Sequence, residues 1–147
     1  MKKDWFTLEI NWLRNYSIGD RMTQNIIVDS CGWVAIIDAS INFESELERM
    51  FGSYNLILID LVEHELQDLE NDRPKRRSLL LDLLKQKSIS MKSASLGHTD
   101  DLIFELASQD GYSVLTIDRS LKKRLYQSGI CVVEVAKNKH LKMIEGL

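Results

Sequence analysis

The chain reads as an α/β protein: a five-stranded, mostly parallel sheet with helices on both faces, a three-layer α/β/α sandwich. Three observations predict it. Apolar runs such as Ile26-Ile27-Val28 and Leu56-Ile57-Leu58-Ile59 are unbroken rather than alternating, as in strands buried on both faces. Segments of helical length and period separate these runs. Asp29 and Asp118 follow two of the strand runs directly, which puts acids at strand mouths, where sheets of this kind form their sites.

The elements follow in order. Residues 1–24 read as an N-terminal appendage to a domain spanning 25–147. Phe6, Leu8, Ile10 and Trp12 alternate with polar residues as in a half-buried strand, while Trp5, Leu8 and Trp12 equally line a helix face. Either way the stretch is a candidate oligomer contact, and Ser17–Asp20 reads as a turn. Strand one covers 26–29, and Cys31–Ile37 is a short apolar helix. Asn42–Met50 is an amphipathic helix stopped by Gly52. Strand two, Leu56–Ile59, leads to Asp60 as an N-cap, with Glu63 completing a capping box. That helix runs to about Glu70. After a break at 71–74, with Pro74 at a first helical position, another helix runs to about Lys85. Ile89 and Met91 mark strand three, and Ser93–Gly97 a loop. Thr99 caps a helix reaching Ser108. Asp110-Gly111 is a turn, Ser113–Ile117 is strand four, and Asp118 opens a helix to Gln127. Gly129 stops that helix, Ile130–Val135 is strand five, and a basic tail with apolar Leu141 and Ile144 follows.

At 147 residues the chain suits a single core. No apolar run is long enough to span a membrane, and charged residues interrupt the N-terminus before any signal-peptide core. Cys31 and Cys131 lack disulfide or zinc spacing and read as small buried residues, which suits a reducing, cytoplasmic location. The net charge of −3 argues against simple basic nucleic-acid binding. It is unevenly placed, however. Residues 119–147 hold seven basic and two acidic side chains, a balance of +5 that leaves −8 for the remainder. An acidic part beside a basic part suits a metal site flanked by a phosphate-binding surface.

Choosing among 22 acids requires geometry. At about 100° per residue, Leu61, Val62, Leu66 and Leu69 define one arc of their helix, and Glu65 projects inside it. A glutamate on a buried face needs a partner, either a structural cation or a metal. Leu102, Ile103, Leu106 and Ala107 set the buried face of a later helix. Asp100 lies on its flank and in its first turn, where the dipole favours an anion, while Asp101 points nearly opposite. Asp29 and Asp118 stand at strand mouths, and Asp118 is also placed to cap a helix. Four carboxylates from four elements repel one another without a cation and form a site with one. Oxygen donors of this kind suit Mg2+ or Mn2+.

Asp29-Ser30, the segment Val62-Glu63-His64-Glu65-Leu66, the run Thr99–Ala107 and Leu115-Thr116-Ile117-Asp118 together resemble, in order and spacing, the motifs of PIN-domain (PilT N-terminus) nucleases over about 26–135. The resemblance implies a Rossmann-like sandwich with strand order 3-2-1-4-5 and metal-dependent hydrolysis of phosphodiesters in single-stranded RNA. It implies that Asp29, Glu65, Asp100 and Asp118 are catalytic and metal-binding. It also gives Ser30 and Thr116 supporting roles beside them, with Asp101 the second acid of the pair. Cys31 stands where many members carry Asn or a small polar residue. The acid pair and basic tail look closest to the branch related to ribosomal-RNA processing nucleases, whereas Asp29-Ser30-Cys31-Gly32-Trp33 looks more like VapC toxins, whose partner is an antitoxin protein. Arg119, Lys122 and Lys123 are candidates to hold the RNA backbone, and a homo-oligomer is expected. The alternative reading is a PIN module that binds RNA or protein without cutting. Other phosphate chemistries fit less well. A haloacid-type phosphatase wants an aspartate where Cys31 stands, and neither a P-loop nor a His-Glu-x-x-His motif is present.

Overall fold

A computed structural model of the chain describes residues 23–71, 76–93, 97–137 and 139–145. Its elements are β1 (Gln24–Val28), α1 (Ser30–Asp38), α2 (Phe43–Phe51), β2 (Tyr54–Ile59), α3 (Asp60–Asn71), α4 (Arg76–Lys87), β3 (Ser88–Met91), α5 (Thr99–Asp110), β4 (Ser113–Leu115), α6 (Arg119–Gln127), β5 (Val132–Val135) and β6 (Leu141–Ile144). They build one sheet in the order β3-β2-β1-β4-β5-β6, with helices on both sides. The expected order 3-2-1-4-5 is therefore present, all of it parallel, and β6 extends it antiparallel to β5. The expected Phe6–Trp12 element, the turn at 17–20, Pro74 and most of the 93–97 loop lie outside the described residues.

Burial explains the unbroken apolar runs. Ile26, Ile27, Val28, Leu58, Ile59 and Val114 are all 0% exposed, because β1, β2 and β4 are sandwiched between helical layers. Each such side chain contributes about 1.5–3 kcal/mol over its exposed state. At the edge the pattern fails, and Ile89 of β3 is 51% exposed. Among the described residues no helix is long and apolar enough to cross a membrane.

Helix termini follow local chemistry, with two departures from expectation. Asn42 caps α2 through Ser45 N–H, and Gly111 closes α5 in the left-handed region at φ 71°. The α5 cap, however, is His98 rather than Thr99: the imidazole Nδ1 accepts from Asp100 N–H at 3.2 Å, and Thr99 becomes the first helical residue. The capping box at α3 does not form. Asp60 Oδ1 accepts instead from Leu61 N–H (2.8 Å) and from Ser93 N–H beyond β3 (3.1 Å), while Glu63 pairs with Lys85.

The strand that sequence reading missed is β6. Leu141-Lys142-Met143-Ile144 is too short to show a period, and no glycine marks the turn before it. Lys139 takes the left-handed conformation itself, at φ 59°. Leu141 is buried, and its N–H donates to Glu46 Oε1 of α2 at 2.9 Å, which ties the added strand to the helical layer.

Candidate metal centre

In this strand order β1 and β4 lie side by side while their following connections leave in opposite directions, so a crevice opens beyond their carboxyl ends. Asp29 stands in it. Its N–H still donates to Leu115 O at 2.9 Å, so the chain leaves the sheet only at this residue. Its side chain then caps α1, with Oδ1 accepting from Ser30 N–H at 2.9 Å. The helix start presses hard onto β4. A Cβ on Gly32 would lie 2.6 Å from Leu115 Cδ2 and 2.7 Å from Leu115 O, so only glycine permits the approach.

The result is a carboxylate 4% exposed with no cationic side chain paired to it among the described residues. Hydroxyl and thiol donors satisfy it. Thr116 Oγ1, fully buried, donates to Asp29 Oδ2 at 2.8 Å, and Cys31 Sγ donates to the same oxygen at 3.1 Å. Burial, and then the charge of Asp29, push the Cys31 thiol up to about 11, so it remains a protonated donor near neutral pH. Cys31 and Cys131 are free and half-buried, and Cys31 is a polar partner of the site rather than mere filling.

Thr116 joins the second strand-mouth acid to the first. Its Oγ1 accepts from Asp118 N–H at 3.1 Å, while Asp118 Oδ1 caps α6 through Leu121 N–H at 2.9 Å. Glu65 arrives from α3 and is gripped at both oxygens: Ser30 Oγ donates to Oε1 at 2.8 Å and Thr99 Oγ1 to Oε2 at 2.9 Å. Thr99 is thus a positioning residue that sequence reasoning missed, because a Thr at a helix start reads as a cap. Asp100 sits next to it in the first turn of α5. Burial and the carboxylates of Asp29 and Asp118, with Glu65 adding and His98 opposing, push its carboxyl above the usual aspartate range. Asp101 stands apart, exposed and paired with Arg124 at 2.8 Å, whose guanidinium also lies 4.5 Å from the centroid of the Phe104 ring.

The four acids therefore share one neighbourhood without converging. Among the described residues no three His, Cys, Asp or Glu side chains gather at the spacing that would hold one ion by themselves. The four candidate ligands fit a hard divalent cation, being carboxylate oxygens with a negative excess.

A family model described as a PIN like domain matches residues 26–138. The chain belongs to the PIN-like domain family. A solved structure described as the PIN domain endonuclease Utp24 is similar, with a TM-score of 0.70 and 21% sequence identity over 84% of this chain and 94% of that one. That likeness concerns the fold. No curated protein matches the chain. On this PIN-like domain the basic candidates divide. Lys122 is paired with Glu134 of β5, while Arg119 and Lys123 stand exposed on α6 with no carboxylate partner among the described residues.

Proposed function

We propose that this PIN-like domain is a divalent-metal-dependent endoribonuclease cutting single-stranded RNA. The observation that carries the reading is Asp29, a carboxylate only 4% exposed at the fold's switch point, joined through the Thr116 hydroxyl to Asp118, with Asp100 close enough to feel both charges. Asp29, Asp100 and Asp118 would hold Mg2+ or Mn2+, with Glu65 beside them. When bound, such an ion acidifies water and offsets charge on the phosphate oxygens. Ser30 and Thr99 fix the Glu65 carboxylate, and Thr116 fixes Asp29 against the start of α6. Arg119 and Lys123, one and five residues beyond Asp118, are placed to hold the RNA backbone. The Cys31 thiol stays protonated and is no nucleophile.

Family membership and the likeness to a protein described as an endonuclease support this reading. The second reading, a PIN-like module that binds RNA without cutting, is favoured by the absence of three converged ligand side chains among the described residues. A cleavage assay on single-stranded RNA with Mg2+, Mn2+ or chelator separates the two. Metal-dependent cutting that Asp29→Asn and Asp100→Asn abolish supports the nuclease, and RNA binding without cutting supports the module. Within the nuclease reading, tight binding of a small neighbouring-gene protein that blocks cutting supports a VapC-type toxin. RNA processing needs no such partner.

A further inference from the structure

Beyond the acid cluster, α6 carries a second feature. Arg119, Lys122, Lys123 and Tyr126 recur at helical spacing and form one stripe running from the Asp118 cap along the helix. The opposite flank is occupied, with Arg124 turned to Asp101 and Phe104 of α5. The stripe ends in an open groove of ≈ 240 Å³ lined by Lys122, Lys123, Tyr126, Val132 and Ile144. Its floor is the cross-strand pair Val132–Ile144, so β6 builds half of it. Tyr126 is 39% exposed at its wall, a large ring left open to water beside Lys123, which has no carboxylate partner among the described residues.

We propose that this groove seats one unpaired base of single-stranded RNA, stacked on Tyr126, a few nucleotides from the phosphate held at the acid cluster. The inference rests on the endoribonuclease reading. Asp118 and Tyr126 are eight residues apart, roughly 12 Å along the helix, a span that a short piece of extended strand covers. Charge complementarity selects the occupant. An apolar floor with a ring wall suits a base face, and Arg119 and Lys123 line the path that the connecting phosphates follow. A protein partner would gain nothing from two cations spaced along the route to the acids. The Lys122–Glu134 pair fixes Lys122 at the groove edge, so it acts as a wall rather than as a phosphate ligand.

The test uses the full chain with end-labelled single-stranded RNA in chelator for binding, and with Mn2+ for cleavage. Stacking predicts that Tyr126→Leu weakens binding about five- to a hundred-fold, while Tyr126→Phe stays within about twofold of the parent. Lys123→Gln lowers the salt slope by about one, and Tyr126→Leu leaves the slope unchanged. An abasic scan adds the decisive reading: removing one particular base costs the parent protein affinity and costs Tyr126→Leu nothing further. An abasic penalty equal in both proteins, or parental binding by Tyr126→Leu, overturns the stacking subsite while metal-dependent cutting leaves the nuclease reading intact. If the parent neither binds nor cuts single-stranded RNA, both fall. A change of oligomeric state in Tyr126→Leu, seen by sedimentation, overturns the proposal in favour of a contact between copies of the chain.

Discussion

Thr116 is the residue on which the site's construction can be tested most sharply. Its hydroxyl is fully buried, donates to a carboxylate 4% exposed, and accepts from the N–H that begins α6. Thr116→Val keeps the shape and removes both bonds. A hydrogen bond to a charged acceptor contributes about 1.5–3 kcal/mol, and the orphaned Asp118 N–H, only partly buried, adds about 1 kcal/mol. The expected loss is about 2.5–4 kcal/mol, or roughly 10 °C in Tm for a chain of this size. Thr116→Ser keeps the hydroxyl and loses one methyl, about 1 kcal/mol. Thermal and urea unfolding in chelator measure both. If Thr116→Val melts within about 2 °C of Thr116→Ser, the hydroxyl is not what holds Asp29, and the account of how the site is built is wrong.

The remaining expectations concern charge and packing. Asp100→Asn abolishes cleavage yet slightly raises the chelated protein's Tm, the effect being small because solvent screens a partly exposed carboxyl. Because the folded state binds the Asp100 proton more tightly than the unfolded state, the parent loses stability as pH rises through the acid range, and the Asn variant escapes that loss. Equal melting of the two at pH 7 would count against the crowding of Asp100. Glu46→Gln tests the tie to β6: the Leu141 N–H, with Arg49 adding, holds the Glu46 carboxyl below the usual glutamate range. Its stabilisation is present above the unfolded-state pKa and lost as pH falls through the folded one, so parent and variant should converge in acid urea melts. Gly32→Ala should cost about 2–3 kcal/mol and lower cleavage as well, since the new methyl meets the Leu115 backbone carbonyl as well as its side chain, and the backbone cannot swing aside. Parental stability in that variant would show that α1 can back away from β4.

Legibility in the sequence tracked burial. Ile26–Val28 and Leu56–Ile59 announce themselves because a strand covered on both faces has no polar side to interrupt it. Asp100 and Asp101 separated correctly on helix geometry alone, since the apolar face set by Leu102, Ile103 and Ala107 is a rigid reference. Features made by long-range contact were hidden. Nothing local distinguishes Thr99 as a Glu65 donor from Thr99 as a cap, or lets His98 outrank it at that terminus. Leu141–Ile144 pairs because β5 offers an edge, which four residues cannot declare by themselves.

Three alcohols, on Ser30, Thr99 and Thr116, already answer the charges of Asp29 and Glu65. A polypeptide that quiets its own anions has no need to meet an ion while it is being built. It can finish folding and wait, so loading becomes a reversible event on a completed molecule. If the site takes the divalent ion proposed for it, the supply of free ion would work as a throttle on the finished protein, and a fully chelated sample should still unfold in one cooperative step.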